Sequence, residues 1–274
     1  MILALTVGLA VVAGWVAVVG LLWLQQDRMI FPGWGLGRVE ASGIVSGDER
    51  LELITPDGVR LVGALRRAQG TSRGLLLVFG GNAEDADWRL RHFGDWLDDV
   101  DIVTFFYRGY GPSGGVPSEA ALVADALLIH DMLLDRLGPS RVVVAGYSLG
   151  SGVAAQLARQ RPLAGLILVT PFDSLEAIAA ERYPFAPVRR LLRHPFRSDE
   201  ALRGLTLPVA VIGATHDQIV PPDSTRRLVA ALQHPVLVTW VDDAGHGSIY
   251  DRAEYRAAFQ AALAQLLPPA AAGG

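Results

Sequence analysis

The chain has 274 residues, of which 51% are hydrophobic, with a formal net charge of −4 and no cysteine. This length suits one large domain with a buried core and is too short for two ordinary domains plus a membrane segment. The negative charge gives nucleic acid no general attraction, and the lack of cysteine excludes disulfides, thiolate metal sites and cysteine nucleophiles.

The first apolar stretch, Ile2–Leu24, contains no charged residue. At a rise of ~1.5 Å per residue it reaches roughly 30 Å or more, which matches the hydrocarbon thickness of a bilayer. A cleaved signal peptide is the alternative, but it would carry a basic n-region and a shorter apolar core. We predict an uncleaved single-pass transmembrane anchor over residues 1–25. Arg28 and Arg38 after the span favour a cytoplasmic domain, whereas Asp27 offsets them, so the membrane side stays open.

Residues 26–49 are predicted to form a connector, and residues 50–267 a catalytic domain. The domain opens with a β-hairpin, in which Arg50–Thr55 and Val59–Arg67 flank the turn residues Pro56-Asp57-Gly58. Fully apolar strands that alternate with helices then indicate a parallel sheet covered on both faces. The six predicted strands are Leu75–Phe79, Ile102–Phe106, Val142–Ala145, Leu166–Val169, Val209–Ile212 and Val236–Val241.

Helices are predicted between these strands and at the end of the domain. Ser118 is a helix start and Gly138-Pro139 a helix stop. Residues 175–207 interrupt the alternation and are predicted to be a small helical cap, and residues 268–274 a disordered tail. The predicted helices are Trp88–Leu97, Glu119–Leu137, Leu149–Gln160, Ser224–Gln233 and Tyr250–Leu267.

The strongest chemical signal is Gly146-Tyr147-Ser148-Leu149-Gly150, a G-x-S-x-G between a predicted strand and a predicted helix. This placement is typical of a nucleophile elbow, in which the glycines leave room for a strained turn that holds the serine oxygen above the sheet. A Gly-rich turn without chemistry is the alternative. We predict that Ser148 is the nucleophile.

A serine hydroxyl needs a neighbouring base, and His246 is the candidate because it follows the last predicted strand and precedes the last helix. His216 lies beside the predicted acid and could be mistaken for the base. The remaining histidines are predicted to be surface or packing residues: His92, His130, His194 and His234.

The acid that orients the imidazole should follow an earlier strand, and Asp217 closes the segment that begins at Val209. Asp242 and Asp243 are rivals because they lie close to His246 in sequence. The chain order Ser148, Asp217, His246 is the order expected of the α/β-hydrolase fold.

Oxyanion stabilisation needs two preorganised donors, which we predict to be the backbone N–H groups of Asn82 and Leu149. Asn82 lies in Gly80-Gly81-Asn82, directly after a predicted strand. A phosphate loop is the alternative, but the segment lacks the Lys-Ser/Thr ending of a P-loop and the G-x-G-x-x-G spacing.

From about Gln26 to Leu267 the chain resembles the membrane-anchored, short-cap serine hydrolases of the α/β-hydrolase superfamily, and more distantly prolyl-oligopeptidase catalytic domains. The resemblance implies an α/β fold with a mostly parallel eight-stranded sheet, flanking helices and a small helical cap. It also implies that Ser148, Asp217 and His246 form a catalytic triad. The segments that carry it are Gly81-Asn82-Ala83, Tyr107–Ser113, Pro117–Glu119, Gly146–Gly150, Pro171-Phe172, Tyr183–Phe185, Val220–Pro222 and Gly245-His246.

The chain departs from the family pattern at two positions. Gly80 stands where the family usually has a histidine that buttresses the oxyanion loop, and Phe106 stands where it has an aspartate. We predict that the backbone donor of Asn82 survives the first change. After the second, Arg108 is predicted to anchor a loop rather than to touch substrate.

The implied reaction is acyl transfer to water, for which no metal or cofactor is needed. The expected substrates are small or lipid-like esters or thioesters, and acylated proteins are further candidates. Nucleic acid is not expected as a partner. The alternatives are a serine peptidase and a non-catalytic membrane-bound interaction domain. The anchor is expected to add no group to the chemistry, so that a chain starting near Pro32 should be soluble and active.

Overall fold

The structure is a computed structural model that describes residues 2–34, 47–82, 84, 86–94 and 96–268. Half of the predicted connector, residues 35–46, and most of the predicted tail lie outside these residues. The strands are β1 (Glu49–Ile54), β2 (Arg60–Arg66), β3 (Leu75–Phe79), β4 (Asp101–Phe105), β5 (Val142–Tyr147), β6 (Gly165–Val169), β7 (Val209–Ala214) and β8 (Pro235–Val241). The helices are α1 (Ile2–Ile30), α2 (Ala86–Phe93), α3 (Glu119–Leu137), α4 (Leu149–Ala158), α5 (Leu175–Arg182), α6 (Val188–Leu191), α7 (Ser198–Leu202), α8 (Pro222–Ala231) and α9 (Ala253–Leu266).

The described strands form one eight-stranded sheet in the order β1-β2-β4-β3-β5-β6-β7-β8. The pairs β1–β2 and β2–β4 are antiparallel, and the other neighbours are parallel. The central strands β3, β5, β6 and β7 are buried throughout, which agrees with their unbroken apolar sequences. The predicted mostly parallel sheet with flanking helices is confirmed.

Two apolar layers cover the sheet. Residues of α3 and α4 pack on one face, and residues of α2 and α9 pack on the other. Ser118 caps α3 by accepting a hydrogen bond from the backbone N–H of Ala121, and Gly138 ends it in the left-handed conformation. The prediction of α3 is therefore confirmed at both ends.

Two predicted helix boundaries of the catalytic domain are wrong by three or four residues, and the others agree to within two. The helix predicted to run to Leu97 ends at Phe93, and the last helix begins at Ala253 rather than at Tyr250. In the second case a short 3-10 turn, Ser248–Asp251, separates the loop that carries His246 from α9. The turn tightens the approach to the helix, an arrangement that hydrophobic periodicity does not reveal.

Helix α1 continues to Ile30, five residues past the predicted end of the anchor. The predicted connector is therefore helical at its start. Gln26 explains the extension, because its side chain accepts a hydrogen bond from the backbone N–H of Arg193 at 2.8 Å. Phe31, the first residue after the helix, is 1% exposed and packs in the core. The end of α1 thus belongs to the folded domain.

The predicted cap is present as α5, α6 and α7, which lie between β6 and β7. Asp27 of α1 joins it through two contacts, with the Arg193 guanidinium at 2.7 Å and with Nε2 of His194 at 3.1 Å. Closer to the N-terminus of α1, the indole N–H of Trp15 donates to the Phe185 carbonyl at 2.8 Å. The cap is consequently packed along α1 from Trp15 to Asp27.

Candidate active site

Ser148 lies at the turn from β5 into α4, with φ 49° and ψ −115°. Its two glycine neighbours are required by close approaches. A Cβ at Gly146 would lie 2.5 Å from the Gly150 carbonyl oxygen, and one at Gly150 would lie 2.1 Å from the Phe79 carbonyl oxygen. Because contacts this short are forbidden, only glycine allows the strained turn that lifts Ser148 to the carboxyl edge of the sheet.

His246 and Asp217 meet Ser148 at this edge. Nε2 of His246 lies 2.9 Å from the Ser148 hydroxyl oxygen, and Nδ1 lies 2.7 Å from Oδ2 of Asp217. Oδ1 of Asp217 accepts hydrogen bonds from the backbone N–H groups of Ile219 and Val220 at 2.9 and 2.8 Å. The carboxylate, held on both oxygens, fixes the imidazole with its proton on Nδ1 and its lone pair on Nε2 facing the serine.

The rival residues lie elsewhere. Asp242 is exposed, and Asp243 is exposed with its carboxylate 3.7 Å from Nδ1 of His216. Neither aspartate bonds His246 among the contacts of the described residues. His92 and His130 lie on α2 and α3, and His194 lies in the cap. The structure therefore brings together the three residues predicted for the triad and leaves the alternatives apart.

The two predicted oxyanion donors flank Ser148. Leu149 is the first residue of α4, so its N–H lies at a helix start, where backbone donors have no partner within the helix. On the other side, a Cβ at Gly81 would lie 3.8 Å from Cβ of Ser148, which puts the loop Gly80–Asn82 directly beside the nucleophile. The Asn82 side chain donates to the Ile30 carbonyl at 3.3 Å, tying this loop to α1.

Glu84 and Arg89 support this loop and were missed from the sequence. The Glu84 carboxylate accepts the Gly81 N–H at 2.5 Å and forms an ion pair with the Arg89 guanidinium, which is fully buried. A Cβ at Gly80 would lie 3.0 Å from Oε2 of Glu84. Glycine at position 80 therefore makes room for the carboxylate, and Glu84 supplies the support that a histidine gives in the family pattern. The Tyr107 hydroxyl adds to it by donating to the Gly80 carbonyl at 2.8 Å.

Arg89 remains charged in this buried place. Its guanidinium carbon lies 3.5 Å from the ring centre of Tyr147 and 4.8 Å from that of Tyr250, so two aromatic faces stabilise the cation. Burial by itself lowers the pKa of Arg89, but the facing Glu84 carboxylate more than offsets it and holds the pKa above its ordinary value. The charge in turn disfavours protonation of His92 one helical turn away, whose pKa is lowered to about 4 by burial and by Arg89.

The chain departs from the family pattern a second time at Phe106. There Arg108 anchors a loop, as predicted. Arg108 donates to both carboxylate oxygens of Asp125, at 2.8 and 2.6 Å, and to Asp57 at 2.8 Å. These contacts join the loop after β4 to α3 and to the β1–β2 turn. Phe106 is buried and fills the space beneath Gly111.

A cleft of about 510 Å³ opens above the site. His246, Asn82 and Ile219 line its floor. The rest of the lining comes from α1 and from residues 175–192 of the cap, and it is mostly apolar. We call this part of the lining the roof. Arg182 is the one charged side chain among the described lining residues. Helix α1 supplies one wall of this cleft, and the expectation that it adds no group to the chemistry stays a prediction.

The chain has clear relatives. Its residues 70–196 match the Hydrolase_4 family, described as serine aminopeptidase, S33. An uncharacterised protein of Mycobacterium tuberculosis is 38% identical over 239 residues, which cover 84% of this chain and 83% of that protein. Lysophosphatidylserine lipase ABHD12 of Danio rerio is 35% identical over 139 residues, 44% of this chain. That match spans only 36% of the lipase.

Two solved structures share the fold at 17% sequence identity. An esterase of Pyrococcus furiosus superposes with a TM-score of 0.67, covering 85% of this chain and 96% of the esterase. A membrane phospholipase A, described as a bacterial virulence factor, superposes with a TM-score of 0.62 and covers 97% of this chain and 98% of its own. The family match and the similarity to the lipase support a serine hydrolase. The chain belongs to the α/β-hydrolase superfamily.

Proposed function

We propose that this protein hydrolyses carboxylic esters or thioesters of acyl or lipid-like substrates, with Ser148, His246 and Asp217 as its catalytic triad. The observation that carries the proposal is the pair of contacts from His246, 2.9 Å to Ser148 and 2.7 Å to Asp217, at the floor of a mostly apolar cleft. A nucleophile, a base and an orienting acid in hydrogen-bond contact are what acyl transfer through a serine ester needs.

In the proposed reaction, the Ser148 oxygen bonds to the substrate carbonyl carbon while His246 Nε2 takes the hydroxyl proton. The N–H groups of Asn82 and Leu149 stabilise the negative oxygen that forms. His246 then gives the proton to the leaving oxygen or sulfur as its bond to carbon breaks. Water, deprotonated by the same nitrogen, releases the acid and restores Ser148. The scheme uses no metal or cofactor.

The apolar roof supports an acyl substrate over a peptide. An aminopeptidase must bind a substrate ammonium group, for which a carboxylate is the usual partner. Among the described residues that line the cleft none is acidic, and the charged one is the cation Arg182. This lining favours the lipase and esterase side of the family over the peptidase side named in the family description.

We also propose that α1 anchors the protein in a membrane. Of the helices that the structure describes, only α1 is long and apolar enough to cross a bilayer. The protein should remain with membranes after a high-salt or carbonate wash, because burial of apolar side chains in hydrocarbon does not depend on screened charges. Release by the wash would contradict the anchor.

A fluorophosphonate probe tests the proposed chemistry. It should label the full chain at Ser148, and labelling should vanish in Ser148→Ala but persist in Ser140→Ala, which changes an exposed serine a few residues upstream. The rates of hydrolysis should then be compared for butyryl and palmitoyl esters, for the matching thioesters, and for peptides with a free amino terminus. Peptide cleavage without ester or thioester cleavage would overturn the acyl substrate, and absence of labelling would favour a non-catalytic domain.

A further inference from the structure

One face of α1 is turned toward the active site. The residues of α1 that line the cleft are Val19, Leu22, Trp23, Gln26, Met29 and Ile30. Their spacing of three and four residues defines a single stripe along the helix. Within the stripe Val19 and Gln26 are buried, and Trp23 and Met29 are 41% and 48% exposed. Outside the stripe Leu21 and Leu24 are 55% and 67% exposed. The helix therefore has two apolar faces with different surroundings, one on the cleft and one on solvent or lipid.

The stripe runs away from the nucleophile. Its C-terminal end adjoins the floor, since Asn82 donates to the Ile30 carbonyl. Val19 precedes Ile30 by eleven helical residues, a distance of ~16 Å along the axis. The wall therefore leads from the site toward the apolar N-terminal half of α1, the part predicted to lie in a bilayer.

The tip of the cap, residues 183–188, meets α1 at Trp15. The uncharged apolar stretch Ile2–Leu24 extends nine residues beyond Trp15, a distance of ~14 Å along the helix. With this stretch in the bilayer, as proposed, the contact between Trp15 and Phe185 lies within the apolar layer. A backbone carbonyl at that depth needs a protein donor, and the Trp15 indole N–H supplies one to the Phe185 carbonyl.

The sequence of the tip fits this position. Residues 183–188 read Tyr-Pro-Phe-Ala-Pro-Val and hold no charged residue, and Phe185 is 48% exposed. Arginines flank the segment at Arg182, Arg189 and Arg190, all of them exposed. An apolar tip between basic side chains is suited to insertion into a leaflet, with the arginines reaching the headgroups.

Resting on the proposed function, we propose that the cleft between α1 and the cap is an acyl-chain groove that opens into the bilayer. The substrate is a membrane lipid ester, whose carbonyl lies at Ser148 and whose acyl chain lies along the stripe from Met29 toward Val19. The lipid enters sideways from the leaflet, beside the cap tip, and its chain remains in apolar surroundings throughout. The anchor helix is thereby a substrate-binding element.

Substitutions along α1 test the groove, with chain-length preference as the readout. Leu22→Trp should lower the ratio of kcat/KM for palmitoyl over butyryl esters by tenfold or more, because the indole fills the path of the chain. Leu21→Trp, the matched control on the outward face, should leave the ratio and both activities unchanged. Val19→Phe, one turn farther from Ser148, should reduce the ratio less than Leu22→Trp and only for the longest chains.

An unchanged ratio in Leu22→Trp, or an equal fall in Leu21→Trp, would overturn the groove. If Leu22→Trp fails to fold, as judged by loss of Ser148 labelling with a small fluorophosphonate, the ratio in Val19→Phe decides. Failure of the proposed function is a different result, in which the wild-type chain neither hydrolyses the esters nor takes the probe.

Insertion of the tip is measured separately. The chain has no cysteine, so an environment-sensitive dye can be placed on Phe185→Cys alone. In phosphatidylcholine nanodiscs its emission should shift to the blue and be quenched by lipids brominated on their chains. The same dye on Val116→Cys, which is 58% exposed on the catalytic domain, should show neither effect. A Phe185 dye that behaves like the Val116 dye would overturn entry from the leaflet.

Discussion

The floor and the roof of the cleft are built in different ways. The floor, together with Ser148, Asp217 and the loop Gly80–Asn82 that adjoin it, is fixed by hydrogen bonds and by backbone approaches that only glycine permits. The roof is mostly apolar and comes from α1 and the cap, which meet through a few polar contacts at their edges. Under the proposed function, the floor performs the chemistry and the roof selects the acyl chain.

The largest expected effect is on the floor. Ser148→Ala and His246→Ala should each lower kcat for an activated butyryl ester by about 10³-fold or more, since the pair acts as one unit. For the same reason the double variant should be little worse than either single change. Steady-state kinetics on the three variants gives the comparison, and additive losses would contradict the assignment.

The acid comes next in size. Asp217→Asn should lower kcat by about 10²-fold or more, because an amide in this place no longer fixes the imidazole with its proton on Nδ1. Asp243→Asn is the matched control, since its exposed carboxylate faces His216 instead. A greater loss of activity in Asp243→Asn than in Asp217→Asn would show that the acid has been misassigned.

The join between roof and floor should affect stability. A chain beginning at Pro32 lacks Phe31, Gln26 and Asp27, whereas one beginning at Gln26 keeps all three. Because loss of a buried phenylalanine costs about 3–5 kcal/mol, the shorter chain should unfold at a clearly lower urea concentration. Equal unfolding midpoints for the two chains would contradict the packing of the end of α1 against the folded domain.

The smallest expected effect is a pH dependence of the free energy of unfolding, which comes from His92 on α2. Burial and the charge of Arg89 lower the pKa of His92 to about 4, below the ~6.5 of an unfolded histidine. The unfolded chain therefore binds the proton first, so the contribution of His92 to stability is complete above pH ~6.5 and is lost as pH falls toward 4. His92→Phe should flatten this part of a urea-unfolding profile. His234→Phe, at an exposed position, should keep the wild-type slope, and equal slopes in all three proteins would contradict the buried site.

The floor could be predicted from the sequence because its signals are local. The G-x-S-x-G stands between an apolar strand and a helix, and Asp217 and His246 each follow a strand of the same parallel sheet, whose carboxyl ends meet at one edge. Glu84 was missed since nothing nearby marks an acid as loop support. Gly80 is the signal that could have revealed Glu84. Glycine in place of the family's histidine leaves space for another side chain to support the loop.

The roof could not be predicted in this way. Gln26 and Arg193 lie 167 residues apart, and Trp15 and Phe185 lie 170 residues apart. Contacts at such separation leave no periodic trace in either segment. The apolar sequence of α1 is equally consistent with a helix surrounded by lipid on every side, which hid the stripe that faces the cleft.

One adduct can report on floor and roof together. A palmitoyl-length fluorophosphonate with a diazirine at the end of its chain should bond to Ser148 of the membrane-embedded protein, and irradiation should then cross-link its tail. Mass spectrometry of the digested protein should then find a phosphonate on Ser148 and a second link within Val19–Trp23 or residues 183–188. A tail linked to the catalytic domain away from α1 and the cap would contradict the division between floor and roof.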